Sequence, residues 1–87
     1  MTAILIYQTD SWHSTSSFEL IGIATTEKKR DTLIRRYLRE CLQEKPSRDE
    51  IADAIGQVQQ IGQTQGLAER YDLEIHTETI ETNQLVI

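Results

Sequence analysis

Residues 25 to 45 carry the clearest pattern of apolar and polar positions in the chain. Apolar side chains recur there at intervals of three and four residues: Leu33, Ile34, Tyr37, Leu38, Cys41 and Leu42. This spacing is typical of an amphipathic helix with one buried face. The pattern therefore predicts a first helix, capped by Thr25 or Thr26. It also predicts that the Cys41 thiol is packed among the apolar side chains and stays reduced.

A second helix is predicted after Pro46, which ends any continuous helix. Ser47 and Glu50 have the spacing of a capping box, in which the two side chains satisfy each other's backbone donors. Gly62 is a suitable residue for the helix C-cap. Gly56 lies mid-helix at a cost of about 1 kcal/mol relative to alanine, which indicates either a close contact or a locally weak helix. The buried face is formed by Ile51, Ile55 and Val58, with Ala54 and Ile61 at its edge.

Three segments read as strands: residues 3–8, 18–24 and 71–80. The uninterrupted apolar run from Ile4 to Tyr7 favours a central strand buried on both faces, whereas the third strand alternates apolar and polar positions. The predicted order is ββααβ. The fold class is therefore α+β: one small domain over residues 1–87, with a three-stranded antiparallel sheet and a two-helix layer on one face.

Two helices cover only one face of such a sheet, but the first two strands carry apolar residues on both faces. Either the tail Leu85-Val86-Ile87 folds over the second face or another copy of the chain covers it, because large exposed apolar patches are unusual in monomers. We expect a homodimer.

Charge is unevenly distributed along the chain. The net charge is −5, yet residues 26–39 sum to +4, which leaves −9 for the remainder. At about 100° per residue, Lys28, Arg35 and Arg39 fall on one stripe of the first helix, with Lys29 and Arg36 on its flank. This stripe is either a solvated helix face, a docking site for an acidic protein surface, or a nucleic-acid contact. The acidic remainder suggests one further alternative, an inhibitor that occupies a nucleic-acid groove on another protein and uses Glu74 and Glu78 as an exposed carboxylate row.

The loop between the first two strands contains Asp10, Ser11 and His13, the side-chain types of a catalytic triad. A triad is defined by mutual geometry and an oxyanion hole, which adjacency in sequence does not supply, so we expect no enzymatic activity. Trp12 either caps the apolar core or is an exposed anchor in a binding loop. His13, His76 and Cys41 lack metal-ligand spacing, and we expect neither a metal nor a cofactor.

The sequence thus favours a non-enzymatic cytoplasmic interaction module. Its expected partner is a protein or a second copy, with nucleic acid as the alternative and neither a membrane nor a small-molecule substrate. No apolar run approaches membrane-spanning length, and the one cysteine fits a reducing compartment. The predicted partner-binding residues are Lys28, Arg35, Arg36, Arg39, Trp12 and His13.

Overall fold

A three-stranded sheet with its helices on one face forms the architecture of the chain. The computed structural model describes residues 2–10, 18–42, 44–71 and 73–81. In chain order the elements are β1 (Thr2–Thr9), β2 (Glu19–Ala24), α1 (Glu27–Glu40), α2 (Arg48–Ile61), the short α3 (Ala68–Tyr71) and β3 (Glu74–Glu81). The strand order is β2-β1-β3, and both neighbouring pairs are antiparallel. The predicted α+β fold, the ββααβ order and the central position of β1 are confirmed.

Local capping chemistry sets where the two long helices begin and where α2 ends. The Thr26 hydroxyl accepts a hydrogen bond from the Lys29 backbone N–H at 3.1 Å and starts α1. At α2, the Ser47 hydroxyl accepts from the Glu50 N–H at 3.2 Å, and the Glu50 carboxylate accepts from the Ser47 N–H at 2.9 Å. Gly62 ends α2 in the left-handed conformation, with φ of 79°. The predicted capping box and C-cap glycine are thereby confirmed.

The main core lies between one face of the sheet and the two long helices. It is formed by buried side chains from all three strands, from both long helices and from the segment before α3: Ile4, Ile6, Ala24, Ile34, Leu38, Ile51, Ala54, Ile55, Val58, Leu67 and Ile75. Cys41 is exposed instead of packed, because α1 ends at Glu40 and the cysteine occupies its C-cap. The prediction of a packed thiol was wrong. Apart from the backbone of its own helix and its chain neighbours, no atom of the described residues lies within 4 Å of a Cβ placed on Gly56, so no close contact explains this glycine.

The opposite face of the sheet is apolar along β1 and β2. The pairing register shifts between Ile6 and Tyr7, so that Tyr7 lies opposite Leu20 while Leu5 lies opposite Ile23. Directly paired residues point to the same face, and the shift therefore turns both Leu20 and Ile23 away from the helices. These two side chains are 49% and 57% exposed. The tail 82–87, the alternative cover for this face, lies outside the described residues.

The third strand begins at Glu74, later than predicted, because the chain forms the short helix α3 as far as Tyr71. Tyr71 belongs to α3, and its hydroxyl donates to the Glu50 carboxylate at 2.8 Å. The Glu74 side chain is only 4% exposed. It accepts hydrogen bonds from the Thr64 hydroxyl and from three backbone N–H groups of residues 66–68. The carboxylate thus holds the segment between α2 and β3 against the sheet.

A polar contact in the half-buried rim of the core joins α1 to the central strand. The Tyr37 hydroxyl donates to the Gln8 side-chain oxygen. Burial raises the pKa of the Tyr37 phenol above its ordinary value of 10.0, and the nearby Cys41 and Glu19 raise it further. The phenol therefore stays protonated, and able to donate this hydrogen bond, at neutral pH.

Candidate functional site

The exposed face of α1 presents most of the basic side chains that the sequence singled out. Lys28, Arg35, Arg36 and Arg39 are all exposed. Arg30 differs from them, because it is 8% exposed and pairs with Asp31 at 3.0 Å. The Asp31 carboxylate also accepts from the Gln59 amide of α2 at 2.9 Å. Arg30 therefore helps to pack α1 against α2 and does not belong to the exposed basic face.

The exposed cations of α1 are not equivalent to one another. Arg36 lies 3.8 Å from Glu40, one turn further along the helix, and both side chains are mostly exposed. Such a pair contributes little stability, about 0 to 1 kcal/mol, but it places a carboxylate beside the cation. Arg35 and Arg39 lie one turn apart and line a groove together with residues of α2. They also border a second depression, on α1 itself, with Arg36 and Glu40.

The second half of α1, the connection after it and the first two turns of α2 border a groove of about 480 Å³, which we call the cationic groove. Its lining contains four cations: Arg35, Arg39, Lys45 and Arg48. The rest of its lining is apolar: Pro46, Ile51, Ala52 and Ile55. Among the described residues, no carboxylate lines the groove. Positive charge around a low-dielectric wall focuses the electrostatic potential into the groove and attracts anionic groups.

Two of these cations, Lys45 and Arg48, were missed from the sequence because they follow the basic segment and were counted with the acidic remainder. A signal for them was present. Pro46 and the Ser47 cap indicate that α2 starts soon after α1 ends, and a short connection keeps the end of α1 near the start of α2. Arg39 and Arg48 are therefore brought to one groove, although they belong to different helices.

The side chains that line the groove are suited to binding anionic groups. Its polar side chains are the guanidinium groups of three arginines and the ammonium group of one lysine, which are hydrogen-bond donors. They donate hydrogen bonds to carboxylates or phosphates, and arginine can do so through two parallel bonds. Ile51 and Ile55 are each 6% exposed and Ala52 is exposed, so an apolar strip lies beside the charges.

The residues Trp12 and His13 lie outside the described residues, so their predicted roles stay predictions. The neighbouring aromatic side chains are described: Phe18 packs against Tyr7 and His76, with ring centroids 5.3 Å and 4.7 Å away. His76 is half-buried, and its Nδ1 lies 3.2 Å from the Gln63 side-chain oxygen.

The predicted carboxylate row along β3 is also wrong in one of its two members. Glu78 is exposed, but Glu74 is buried and its carboxylate accepts hydrogen bonds from residues 64–68. The prediction was wrong because the alternation of polar residues along a strand indicates only that they share one face of the sheet. It does not indicate whether another segment covers that face. Of the two carboxylates that the inhibitor alternative would present to a partner, only that of Glu78 is therefore exposed.

Comparisons with family models, curated proteins and solved structures give no significant match to this chain. Within the described ranges, no three histidine, cysteine, aspartate or glutamate side chains are grouped so as to hold a metal ion. No helix of the described part is long and apolar enough to cross a bilayer.

Proposed function

We propose that this chain is a small non-enzymatic interaction module that forms a homodimer and binds a protein partner through the basic face of α1. The observation that carries the proposal is the cationic groove, in which four cations surround an apolar strip without a carboxylate among the described lining residues. Concentrating like charge costs electrostatic free energy in the isolated domain, and an anionic partner removes that cost on binding.

The composition of the surface favours a protein over nucleic acid as the partner. A duplex that extended beyond the basic region would meet the rest of the chain, whose net charge is −9. Affinity for DNA depends on many phosphate contacts, and exposed carboxylates such as Asp49 and Asp53 lie on the same helix as Arg48. An acidic patch on a protein surface, by contrast, can be bound by the local cluster of cations alone.

Charge reversal of Lys28, Arg35 and Arg39 to glutamate tests the proposed function. We expect folding to survive, because exposed charges contribute only about 0 to 1 kcal/mol each. Partner recovery from a lysate of the native host, identified by mass spectrometry, should fall strongly in comparison with the wild type. For a recovered partner, the loss should come mainly from a slower on-rate and should shrink as salt shortens the Debye length from about 10 Å at 0.1 M.

Two outcomes of this experiment contradict the proposal. A triple variant that melts like the wild type and recovers the same partners assigns no binding role to the basic face. Wild-type binding to unrelated DNA duplexes, with log affinity falling linearly with log salt, would favour the nucleic-acid alternative.

Self-association is supported by the apolar outer face of the sheet. Leu20 and Ile23 are about half exposed on the edge strand β2, beside the half-buried Leu5 and Tyr7 of β1. A second copy that covers this face would leave the cationic groove accessible, because the helices occupy the opposite face of the sheet. The homodimer would then present two grooves.

The substitution Ile23→Lys tests self-association against a matched control. Ile23 and Ile61 are 57% and 56% exposed, and Ile61 lies at the end of α2. Light scattering coupled to size exclusion should give a dimer for the wild type and for Ile61→Lys, and a folded monomer for Ile23→Lys. A wild type that is monomeric at concentrations of about 100 µM would refute the homodimer, since a Kd weaker than this corresponds to only about 5 kcal/mol of binding free energy.

A further inference from the structure

We infer that the cationic groove binds an acidic amphipathic helix of a protein partner, and this assignment rests on the proposed function. The groove would take carboxylates at its rim and apolar side chains along the strip formed by Ile51, Ala52 and Ile55. The occupant is thus specified by two chemistries at once. A uniformly acidic chain would satisfy only the first, and an uncharged apolar helix only the second.

The charge distribution around the groove determines the anionic half of the occupant. Arg35 and Arg39 are contributed by α1, Lys45 by the connection and Arg48 by the first position of α2. The cations therefore border the groove from both helices and from the end where the chain reverses. Carboxylates spaced along a peptide can reach several of them at once, and arginine favours carboxylates through paired hydrogen bonds.

The walls of the groove determine the backbone conformation of the occupant. They are built mainly from α1 and α2, in which most backbone N–H and C=O groups are already bonded within the helix. An extended peptide would find few backbone partners there, and its own polar groups would lose water without compensation. A helix satisfies its own backbone and presents side chains at i, i+3, i+4 and i+7, which is the established way for a peptide to enter an apolar groove.

The apolar strip favours an amphipathic helix over nucleic acid as the occupant of the groove. Ala52 is exposed, and together with the edges of Ile51 and Ile55, which are each 6% exposed, it forms the apolar strip of the groove. Leucine or similar side chains of a helix gain by covering such a surface. A phosphate backbone offers no apolar group to cover it, so a duplex would leave the strip unused.

Two single charge reversals distinguish binding in the groove from binding along the basic face of α1. Arg48 lines the groove but belongs to α2, whereas Lys28 lies on the stripe of α1 and is not among the groove-lining residues. Both are exposed and both lie in the first turn of a helix, where a new carboxylate interacts favourably with the helix dipole. Arg48→Glu and Lys28→Glu are therefore matched in charge, exposure and expected folding.

The probe is a fluorescently labelled synthetic helix of about 15 residues, near the minimum length for helicity in water. It carries leucine at i, i+3, i+4 and i+7 and glutamate on the opposite face. A scrambled peptide of the same composition and a DNA duplex of about 15 base pairs are the comparison ligands. Fluorescence anisotropy at constant ionic strength measures the Kd of each ligand for the wild type, Arg48→Glu and Lys28→Glu.

We expect the wild type to bind the amphipathic peptide at least about tenfold more tightly than either comparison ligand. Arg48→Glu should weaken this binding by about tenfold or more, whereas Lys28→Glu, which reverses a cation of the basic face outside the groove, should weaken it by only about twofold to threefold. Loss with Lys28→Glu but not with Arg48→Glu would overturn the groove assignment and leave the proposed function standing. Equal binding of the peptide and its scramble, equal loss in both variants, or tighter binding of the duplex would also overturn the assignment. No effect of either reversal would contradict both proposals.

Discussion

The buried carboxylate of Glu74 should be one of the largest single contributors to the stability of this domain. Its Oε1 accepts from the Thr64 hydroxyl at 2.6 Å and from the Leu67 N–H at 3.3 Å. Its Oε2 accepts from the Gly66 and Ala68 N–H groups at 3.0 and 3.1 Å. The substitution Glu74→Gln keeps the shape of the side chain and replaces one acceptor oxygen by an NH₂ donor.

The amide introduced by Glu74→Gln has two orientations, and neither satisfies all four donors. With NH₂ at the Oε2 position, the amide would place a donor opposite the N–H donors of Gly66 and Ala68, and both of these would lose their acceptor. With NH₂ at the Oε1 position, the Thr64 hydroxyl can turn to accept from it, because the Ile75 carbonyl lies 3.5 Å away as an alternative acceptor. The second orientation leaves only the Leu67 N–H without its acceptor and is therefore the less costly one.

The expected loss of stability follows from this orientation. One unsatisfied buried donor costs about 1 to 3 kcal/mol, and two bonds to Oε2 lose their charge assistance, roughly 1 kcal/mol each. Relief from burying a charge offsets part of this sum. We expect Glu74→Gln to lower the free energy of unfolding by about 2 to 3 kcal/mol, which lowers Tm by roughly 10 to 20 °C in a domain of this size.

Denaturant unfolding followed by circular dichroism measures this loss, with Glu78→Gln as the matched control. Glu78 lies on the same strand and is exposed, so its substitution should change stability by less than about 0.5 kcal/mol. Hydrogen exchange at the amides of residues 66–68 should accelerate in Glu74→Gln more than exchange in α2. A Glu74→Gln variant as stable as Glu78→Gln would refute the reasoning that the carboxylate anchors this segment.

Two further predictions concern α2 and the contact between α1 and the sheet. Gly56→Ala should stabilise the protein by about 0.5 to 1 kcal/mol in urea unfolding, because the site is mid-helix and nothing lies within 4 Å of the added Cβ; a destabilised variant would contradict the open space around this residue. For Tyr37, the raised folded pKa contributes stability that is complete below the unfolded value of 10.0 and is lost as pH rises from there through the folded pKa. The difference in unfolding free energy between the wild type and Tyr37→Phe should therefore shrink above pH 10.0, while phenolate absorbance reports the ionisation; a constant difference would refute a raised pKa.

The sequence determined those features that depend on neighbouring residues along the chain. The three-and-four spacing around Leu33 to Leu42 predicted α1, and the capping box at Ser47 predicted the start of α2, because helix periodicity and capping are local interactions. The run from Ile4 to Tyr7 similarly predicted the central strand. The exposure of Arg35 and Arg39 followed from their position opposite the apolar stripe.

Features that depend on distant residues were decided only by the tertiary structure. Arg30 lies in the basic segment, but its guanidinium is buried with Asp31 near Gln59 of α2. Glu74 alternates with apolar residues as a solvent-facing strand position would, but the segment 64–68 folds over it and supplies four donors. The bonds to Glu74 join separate elements, and Asp31, the partner of Arg30, is bonded to Gln59 of another helix. Local periodicity does not indicate such contacts.

The cationic groove depends both on the local sequence and on the packing of distant residues. Counting charges along the sequence separated Arg39 from Arg48, because the count follows the chain and places the acidic α2 with the remainder. Electrostatic interaction depends instead on separation in space, and the reversal at Pro46 brings the two side chains to the walls of one groove. The sequence therefore determined which residues are charged and which faces are helical, and the packing of α1 against α2 decided which charges act together.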